Sequence, residues 1–365
     1  NNEYLGLKEC PRNRLQWEFT GICGNLYHPR SKTPRSGGQE SMNTQQKYSE
    51  QITATEPNES PFANLDTVTV LMPLPFRDGK MDKEAHSKNV HYLLDNTFLD
   101  GSRQRILGIG GTSLIHHMNP TTLFEVVELT SRLIGDDALL MVGLIPTPIS
   151  EAKRFIQNCL TLKRPPDYFL LMPIPGLCNP EGIEIELMDL TQAFEGIAPV
   201  RFVLYLRSSR LNGTYAKLTT LFDNIVGIKV GTQTEDVEAL CSMVPISKRV
   251  LWGVGDRVTE AARCGVRGHT SGLTLLCPRL CDEINNAYRG GDFETSASLE
   301  QVVAELEEIR FSQDRFYNYS AIVAAAQLGK FQDIDLGEGG PFNAPPPSAI
   351  MERIADCVEK LKQYH

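Results

Sequence analysis

Short apolar runs, rich in β-branched residues, alternate with helix-like segments from Thr67 to about residue 295. Alternation of this kind is typical of βαβ units built on a parallel sheet. The runs predict eight strands, at residues 68–72, 105–109, 139–143, 168–172, 201–205, 225–229, 250–252 and 269–271. Eight strands, each followed by a helix, match the usual size of a closed (β/α)8 TIM barrel, which is the predicted α/β fold. A doubly wound open sheet is the structural alternative.

The two ends of the chain differ from the segment between them in composition and hydrophobic periodicity. Beyond residue 296 the pattern is helical, over 299–311, 319–328 and 350–364, which predicts a C-terminal helical extension at 296–365. Residues 1–60 are rich in Asn, Gln, Ser, Thr, Pro and Arg and have almost no periodicity, which is typical of a poorly ordered extension. The barrel domain is therefore expected at residues 61–295.

Composition and charge favour chemistry on a small molecule. The 365 residues carry a formal net charge of −9 with dispersed Lys and Arg, which argues against nucleic-acid binding and against a basic membrane-binding face. No apolar stretch approaches the roughly 18 residues of a membrane helix. Nine cysteines with irregular spacing favour reduced thiols over a disulfide framework. We expect a cytoplasmic enzyme with a small-molecule substrate.

Lys229 carries the strongest chemical signal, because it is a single lysine at the end of an apolar strand. Desolvation at such a place disfavours the ammonium form, lowers the lysine pKa and frees a lone pair to attack a ketone. A strand-end lysine that extends into solvent is the alternative interpretation. Tyr205 ends the preceding strand, and barrel chemistry lies at the C-terminal strand ends, so the two side chains are expected to meet.

Metal and dinucleotide sites are not predicted. Gly108 and Gly110 begin like a dinucleotide turn, but Ser113 occupies the third glycine position. His116 and His117 are adjacent and point different ways, and no set of three ligands emerges. Asp256 follows strand seven and is expected either to line the site or to cap the next helix.

Several stretches make the chain similar to the dihydrodipicolinate synthase / N-acetylneuraminate lyase family of class I aldolases over about residues 67–361. They are LMPLPF at 71–76 followed by Asp78, Gly79 and Asp82, the glycine-rich turn at 110–113, FVLY at 202–205, NIVGIK at 224–229 and GVRGHTSG at 265–272. The resemblance implies a (β/α)8 barrel that assembles as a homodimer or homotetramer. It also implies a 2-oxo acid substrate, in some members with an aldehyde as the second substrate.

The resemblance implies a role for each matching residue. Lys229 would form an imine with pyruvate or a related 2-oxo acid, so that no cofactor or metal is needed, and Tyr205 would transfer protons. The family usually has GTTGE where this chain has GGTSL at 110–114, which displaces the hydroxyl pair by one position. The residues expected to bind substrate are Gly111, Thr112, Ser113, Arg207, Arg210, Thr270, Ser271 and Gly272.

Two departures from the family pattern concern the second substrate. A tyrosine pair that follows strand four in the synthases, and completes a proton relay across a subunit contact, is replaced by MPIP at 172–175. After Tyr205 the chain reads LRSSRLN. By resemblance, Arg210 falls on the position that binds the second substrate's carboxylate in the synthases. The arginine at position 207 instead makes this stretch similar to family members that act on deoxy sugar acids. Two arginines favour an anionic second group, with a surface salt bridge as the alternative for either.

The sequence thus predicts a metal-independent, Schiff-base-forming lyase or aldolase that acts on a 2-oxo acid. A 2-oxo-3-deoxy sugar-acid aldolase or dehydratase that uses the same imine is one alternative. A catalytically silent barrel with a binding or regulatory role is the other, and the altered turn and missing tyrosine pair favour it. The presence of both Lys229 and Tyr205 favours the enzyme.

Overall fold

Eight parallel strands close into a barrel in the computed structural model, which describes residues 63–101, 103–197 and 199–365. Each strand pairs with its sequence neighbours, and β1 closes the ring by pairing with both β8 and β2. The strands are β1 Val68–Leu71, β2 Ile106–Ile109, β3 Leu139–Leu144, β4 Tyr168–Leu171, β5 Phe202–Leu206, β6 Ile225–Val230, β7 Arg249–Trp252 and β8 Gly268–Ser271. The predicted (β/α)8 barrel is confirmed, and the open sheet is excluded.

Every residue of these eight strands is buried, because one face of the strand points into the barrel and the other lies under a helix. This is why most of the strands read as apolar runs in the sequence, although β8, Gly268–Ser271, does not. The covering helices are α1 Lys83–Asp95, α2 Pro120–Ile134, α3 Ile149–Cys159, α4 Pro180–Gln192, α5 Asn212–Leu221, α6 Thr234–Met243, α7 Thr259–Arg263 and α8 Pro278–Arg289.

Local sequence signals set several of the element ends. The Asn119 side chain accepts a hydrogen bond from the Thr122 backbone N–H at 2.9 Å, and Pro120 takes the first helical position of α2. A two-residue hairpin, Phe76–Arg77 with Lys80–Met81, lies between β1 and α1 and was not predicted. Its turn residues Asp78 and Gly79 both have positive φ, the conformation that an Asp-Gly pair favours in a tight hairpin.

Three helices follow the barrel: α9 Phe293–Arg315, α10 Ser320–Gly329 and α11 Ser348–Leu361. Helix α9 packs on α8 and α11, and α10 packs on α11. The last turn of α9 is broken, because Ser312, Gln313 and Asp314 have non-helical backbone angles. The predicted N-terminal extension at residues 1–60 lies outside the described residues.

Candidate active site

A cavity of about 690 Å³ opens at the C-terminal ends of the barrel strands. Loops after β2, β4, β5 and β8 contribute to its wall, together with the C-terminal part of α9. The sequence-predicted site residues that line it are Gly111, Thr112, Tyr205, Arg207, Lys229, Thr270 and Gly272. Three others, Ser113, Arg210 and Ser271, do not line it.

Lys229 and Tyr205 are direct neighbours, because β5 and β6 pair with Tyr205 opposite Lys229. The Lys229 side chain is buried, with 2% of the residue exposed, and its Nζ lies 4.3 Å from the centroid of the Tyr205 ring. Among the residues that the structure describes, none accepts a hydrogen bond from this amine. Burial and the nearby guanidinium groups lower the pKa of Lys229 to about 8, although Tyr205 raises it.

The Tyr205 hydroxyl has a cationic hydrogen-bond partner. Arg315 Nη1 donates to Tyr205 Oη at 2.7 Å, and Arg315 Nη2 donates to the Gly231 carbonyl at 2.8 Å. Burial alone would raise the pKa of Tyr205, but the positive charges of Lys229, Arg315 and Arg207 outweigh burial and lower the pKa to about 7. A phenol that ionises near neutral pH can both take up and release a proton during a reaction.

Two glycines make room for this pair. A Cβ on Gly231 would lie 2.6 Å from Tyr205 Cε2, and a Cβ on Gly253 would lie 2.8 Å from Lys229 Cε. Any larger residue at either position would push one of the two side chains out of place. The barrel backbone therefore fixes both the lysine and the tyrosine at their present separation.

The turn after β2 presents Thr112 to the cavity and turns Ser113 away from it. Ser113 Oγ donates to the Met72 carbonyl at 2.6 Å and accepts from the Gly110 N–H at 2.9 Å, so it stabilises the turn itself. The next residue, Leu114, has a φ of 59°, a backbone conformation that glycine favours. The displacement of the hydroxyl pair by one position, expected from the family resemblance, stays a prediction.

On β8, Ser271 points into the protein instead of the cavity. Its hydroxyl donates to Asp256 Oδ2 at 2.7 Å, and His269 Nε2 lies 3.1 Å from Asp256 Oδ1. The backbone N–H of Asp256 donates a hydrogen bond to Glu307 Oε1 of α9 at 2.9 Å. Asp256 is fully buried and joins the barrel to α9, so it neither lines the cavity nor caps the next helix as the sequence suggested.

The two predicted arginines occupy different places. Arg207 lines the cavity and forms an ion pair with Asp314 at 3.4 Å. Arg210 is exposed on the 3-10 turn Ser209–Leu211, outside the cavity wall. A role for Arg210 in substrate binding stays a prediction, whereas Arg207 is positioned to contact a ligand.

A family model and two curated relatives match this chain. The model of the dihydrodipicolinate synthetase family matches residues 188–334, which include Tyr205, Lys229 and Arg315. The 4-hydroxy-tetrahydrodipicolinate synthase of Alkaliphilus oremlandii (strain OhILAs) is 22% identical over 263 residues, 69% of this chain and 85% of that protein. The enzyme of the same name from Sulfurovum sp. (strain NBC37-1) is 24% identical over 298 residues, 79% of this chain and 94% of that protein.

The family model and both curated relatives thus show the same resemblance, to the dihydrodipicolinate synthetase family. A crystal structure of dihydrodipicolinate synthase from Bacillus clausii superposes with a TM-score of 0.73 at 18% identity, over 82% of this chain and 99% of that one. The structure from Oceanobacillus iheyensis gives a TM-score of 0.70 at 17% identity, over 83% and 98%. These likenesses show the fold, and the family resemblance expected from the sequence is confirmed.

Sequence reasoning missed the contribution of α9 to the site. Arg310 and Arg315 both line the cavity, but the sequence did not indicate either. Arg310 falls inside the helix predicted at 299–311, and Arg315 falls between that helix and the one predicted at 319–328. Arg310 is buried and paired with Glu307 at 2.8 Å. The prolines of MPIP at 172–175, which replace the family's tyrosine pair, line the cavity together with Met172 and Ile174. The strand-four wall is therefore apolar.

Two further features concern metal binding and membrane-spanning helices. No cluster of three or more His, Cys, Asp or Glu side chains that could bind a metal occurs within residues 63–101, 103–197 and 199–365. In that same part of the chain, none of the helices combines the length and apolar character needed to cross a membrane.

Proposed function

We propose that the protein is a Schiff-base-forming lyase or aldolase that acts on pyruvate or a related 2-oxo acid. The observation that carries the proposal is the buried Lys229 amine, which has no hydrogen-bond acceptor among the described residues and lies against the Tyr205 ring. With a pKa near 8, a substantial fraction of this amine is neutral near physiological pH, as nucleophilic attack requires.

The proposed reaction uses the two strand-end residues in turn. The lone pair of Lys229 Nζ attacks the ketone carbon, and a proton moves to the former ketone oxygen to give a carbinolamine. Loss of that hydroxyl as water, protonated by Tyr205, leaves the imine. The protonated imine then accepts the electrons of a C3 bond, so that this bond breaks, or forms in the reverse direction. No step calls for a metal or an external cofactor.

The turn at Gly111 and Thr112 is proposed to bind the carboxylate of the 2-oxo acid. It lies after β2, which stands opposite β6 in the eight-stranded ring. A ligand held at this turn therefore extends across the barrel toward Lys229. Thr270 and Gly272, which line the cavity after β8, are proposed to contact the same ligand.

A 2-oxo-3-deoxy sugar-acid aldolase or dehydratase is the second candidate. The position of Arg207 favours it, because Arg207 lines the cavity whereas Arg210, at the position typical of the synthases, does not. Both candidates form the same imine. They differ in whether a carbon-carbon or a carbon-oxygen bond breaks afterwards.

Borohydride reduction in the presence of candidate 2-oxo acids tests the proposal. Intact-protein mass should increase when wild-type protein is reduced with pyruvate or with a 2-oxo-3-deoxy sugar acid, and the Lys229→Met variant should gain nothing. Product analysis then separates an aldolase, which releases an aldehyde, from a dehydratase, which releases water. Absence of any adduct across this series would favour the catalytically silent barrel.

We further propose that the protein works in the cytoplasm as a homodimer or homotetramer. The family resemblance supports assembly, although one solved relative is described as a monomeric dihydrodipicolinate synthase variant. Sedimentation velocity over a range of protein concentrations measures the assembly directly. A single species at the mass of one chain would contradict it.

A further inference from the structure

The segment Gln313–Arg315, at the end of α9, has an unusual backbone. Ser312 leaves the helix with a ψ of 160°, and the next three residues have φ values of 48°, 53° and 72°. All three are in the left-handed region, which residues other than glycine, asparagine and aspartate rarely adopt. Asp314 and Arg315 of this segment line the cavity. A conformation of this kind persists only when the surrounding contacts hold it, and it often accompanies a functional site.

Arg315 forms two of the contacts that hold the segment. Its two terminal nitrogens donate to Tyr205 Oη and to the Gly231 carbonyl, at 2.7 and 2.8 Å. Gly231 is itself anchored, because its N–H donates to the Leu206 carbonyl at 2.9 Å. The guanidinium fork is planar and rigid, so two bonds to fixed acceptors define its orientation. The barrel therefore places one N–H donor of Arg315 on the phenol oxygen.

The other side chains of the cavity do not perform this task. Arg310 is bound to Glu307 and, at 2.7 Å, to Asn318. Arg207 pairs with Asp314, and the strand-four wall offers only apolar side chains. Within the described residues, Arg315 alone hydrogen-bonds the Tyr205 hydroxyl, and no carboxylate pairs with Arg315. Its charge is therefore directed at the phenol.

We propose that Arg315 is a positioning residue that keeps Tyr205 oriented for proton transfer and stabilises its phenolate. The inference rests on the proposed Schiff-base function. An arginine only donates hydrogen bonds, so Tyr205 Oη keeps its own proton for the substrate. When the carbinolamine loses its hydroxyl, the C–O bond breaks, the C=N bond forms, and the Tyr205 proton leaves with the hydroxyl as water. The resulting phenolate lies beside the Arg315 cation until it takes up a proton again.

Removing the Arg315 cation should shift the pH profile of the reaction in one defined direction. The Arg315 charge and hydrogen bond both lower the pKa of Tyr205, and the charge also lowers the pKa of Lys229. Without the guanidinium both pKa values rise. The pH at which the reaction is fastest should therefore move to a higher value, which a purely structural loss would not cause.

The test measures the rate of borohydride-trapped adduct formation with pyruvate as a function of pH. Arg315→Gln should lower the maximal rate about 10²-fold, the typical effect of one charge-stabilising donor, and move the pH profile to higher pH. Arg315→Lys should retain an intermediate rate, and low, non-denaturing guanidinium should partly restore Arg315→Gln. Arg353→Gln is the control, because Arg353 pairs with Glu305 on the helical surface away from the cavity.

The outcomes separate this inference from the function on which it rests. If wild-type protein forms no adduct with any 2-oxo acid, the proposed function fails. If wild type forms the adduct and Arg315→Gln has an unchanged pH profile, the role of Arg315 is wrong. A folded Arg315→Gln variant, checked by its circular dichroism melt, that loses rate without a pH shift and without guanidinium rescue also contradicts the role.

Discussion

Two buried lysines on neighbouring strands have opposite surroundings. Lys229 ends β6 at the cavity, and Lys248 precedes β7 at the opposite end of the barrel. Burial lowers the pKa of both amines. The Lys248 amine, however, donates to three carbonyls, those of Phe222, Asp223 and Ile225, at 3.2, 3.1 and 2.8 Å. Burial alone therefore does not make a nucleophile. What matters is whether the protein satisfies the amine or leaves it free to react.

The same contrast extends to the two ends of the barrel. At the end where Lys248 lies, the buried Asp66 accepts ion pairs from Arg249, Arg267 and Arg289, at 2.8, 3.1 and 3.2 Å. At the cavity end, Arg315 donates to a phenol and a backbone carbonyl, and no carboxylate among the described residues pairs with it. Charges at the N-terminal ends of barrel strands usually serve stability, and those at the C-terminal ends serve chemistry.

The largest expected difference is between Lys229→Met and Lys248→Met. Lys229→Met should lower the rate of trapped adduct formation by ~10³-fold or more, because the nucleophile is gone. It should also raise the free energy of unfolding at pH 7 by about 1–3 kcal/mol, since a buried amine without an acceptor is replaced by an apolar chain. Lys248→Met should lower that free energy by about 2–3 kcal/mol, because three carbonyls lose their donor.

Adduct trapping and urea denaturation measure these two quantities independently. In its folded fraction, Lys248→Met should form the adduct at the wild-type rate. A Lys248→Met protein that is stable but slow, or a Lys229→Met protein that still forms the adduct, would remove the distinction between the two lysines.

A smaller loss of rate is expected from Tyr205→Phe. The ring stays against Lys229, but the proton-transferring hydroxyl is removed, so adduct formation should slow about 10²-fold while stability changes little. Quench-flow borohydride trapping gives the rate. Because the lysine remains, some adduct should still accumulate, and an unchanged rate would show that Tyr205 does not transfer the proton.

Gly253→Ala tests whether the position of Lys229 matters as well as its presence. The new methyl group would lie 2.8 Å from Lys229 Cε and 2.6 Å from the Val230 carbonyl. We expect a loss of about 1–3 kcal/mol in unfolding free energy and a roughly tenfold slower adduct formation. Gly213→Ala is the matched control, because nothing lies within 4 Å of its added Cβ. Equal behaviour of the two variants would contradict the close fit at Lys229.

The smallest predicted effect concerns how adduct formation and stability depend on pH, because the pKa of Lys229 is lowered. The neutral Lys229 amine attacks the ketone and the Tyr205 phenol supplies a proton, so adduct formation should be fastest at about pH 7–8, between the two lowered pKa values. The pKa of Lys229 is lowered to about 8 from 10.5. Between these values the unfolded chain binds a proton that the folded chain does not. Stability contributed by this group should therefore rise from pH 8 to 10.5, and Lys229→Met should remove that rise. Adduct formation that still increases beyond pH 10 would indicate an ordinary exposed lysine.

The sequence predicts the barrel well because most of the buried strands are short apolar runs that alternate with helical patterns. Lys229 stood out for the same reason, as a single charge in such a run. Ser113 and Ser271 were assigned to substrate binding, but both hydroxyls bond inward, to Met72 and Asp256. A side chain's direction in a turn depends on backbone angles that residue type alone does not specify.

The arginines of α9 could not be found from the sequence at all. Arg315 reaches Tyr205 across 110 positions, and only the packing of α9 against the barrel brings them together. The left-handed backbone that directs Arg315 inward also occurs at residues with little preference for it. The predicted helix ends at residue 311, just before the break at Ser312, but a hydrophobic pattern does not specify the backbone angles that follow.

The most direct test of the account identifies which lysine carries the substrate. Wild-type protein is reduced with borohydride in the presence of pyruvate, digested, and analysed by tandem mass spectrometry of the peptides that contain Lys229 and Lys248. The account predicts a reduced pyruvate adduct on Lys229 and an unmodified Lys248. An adduct on Lys248, or adducts spread over surface lysines with none on Lys229, would contradict it.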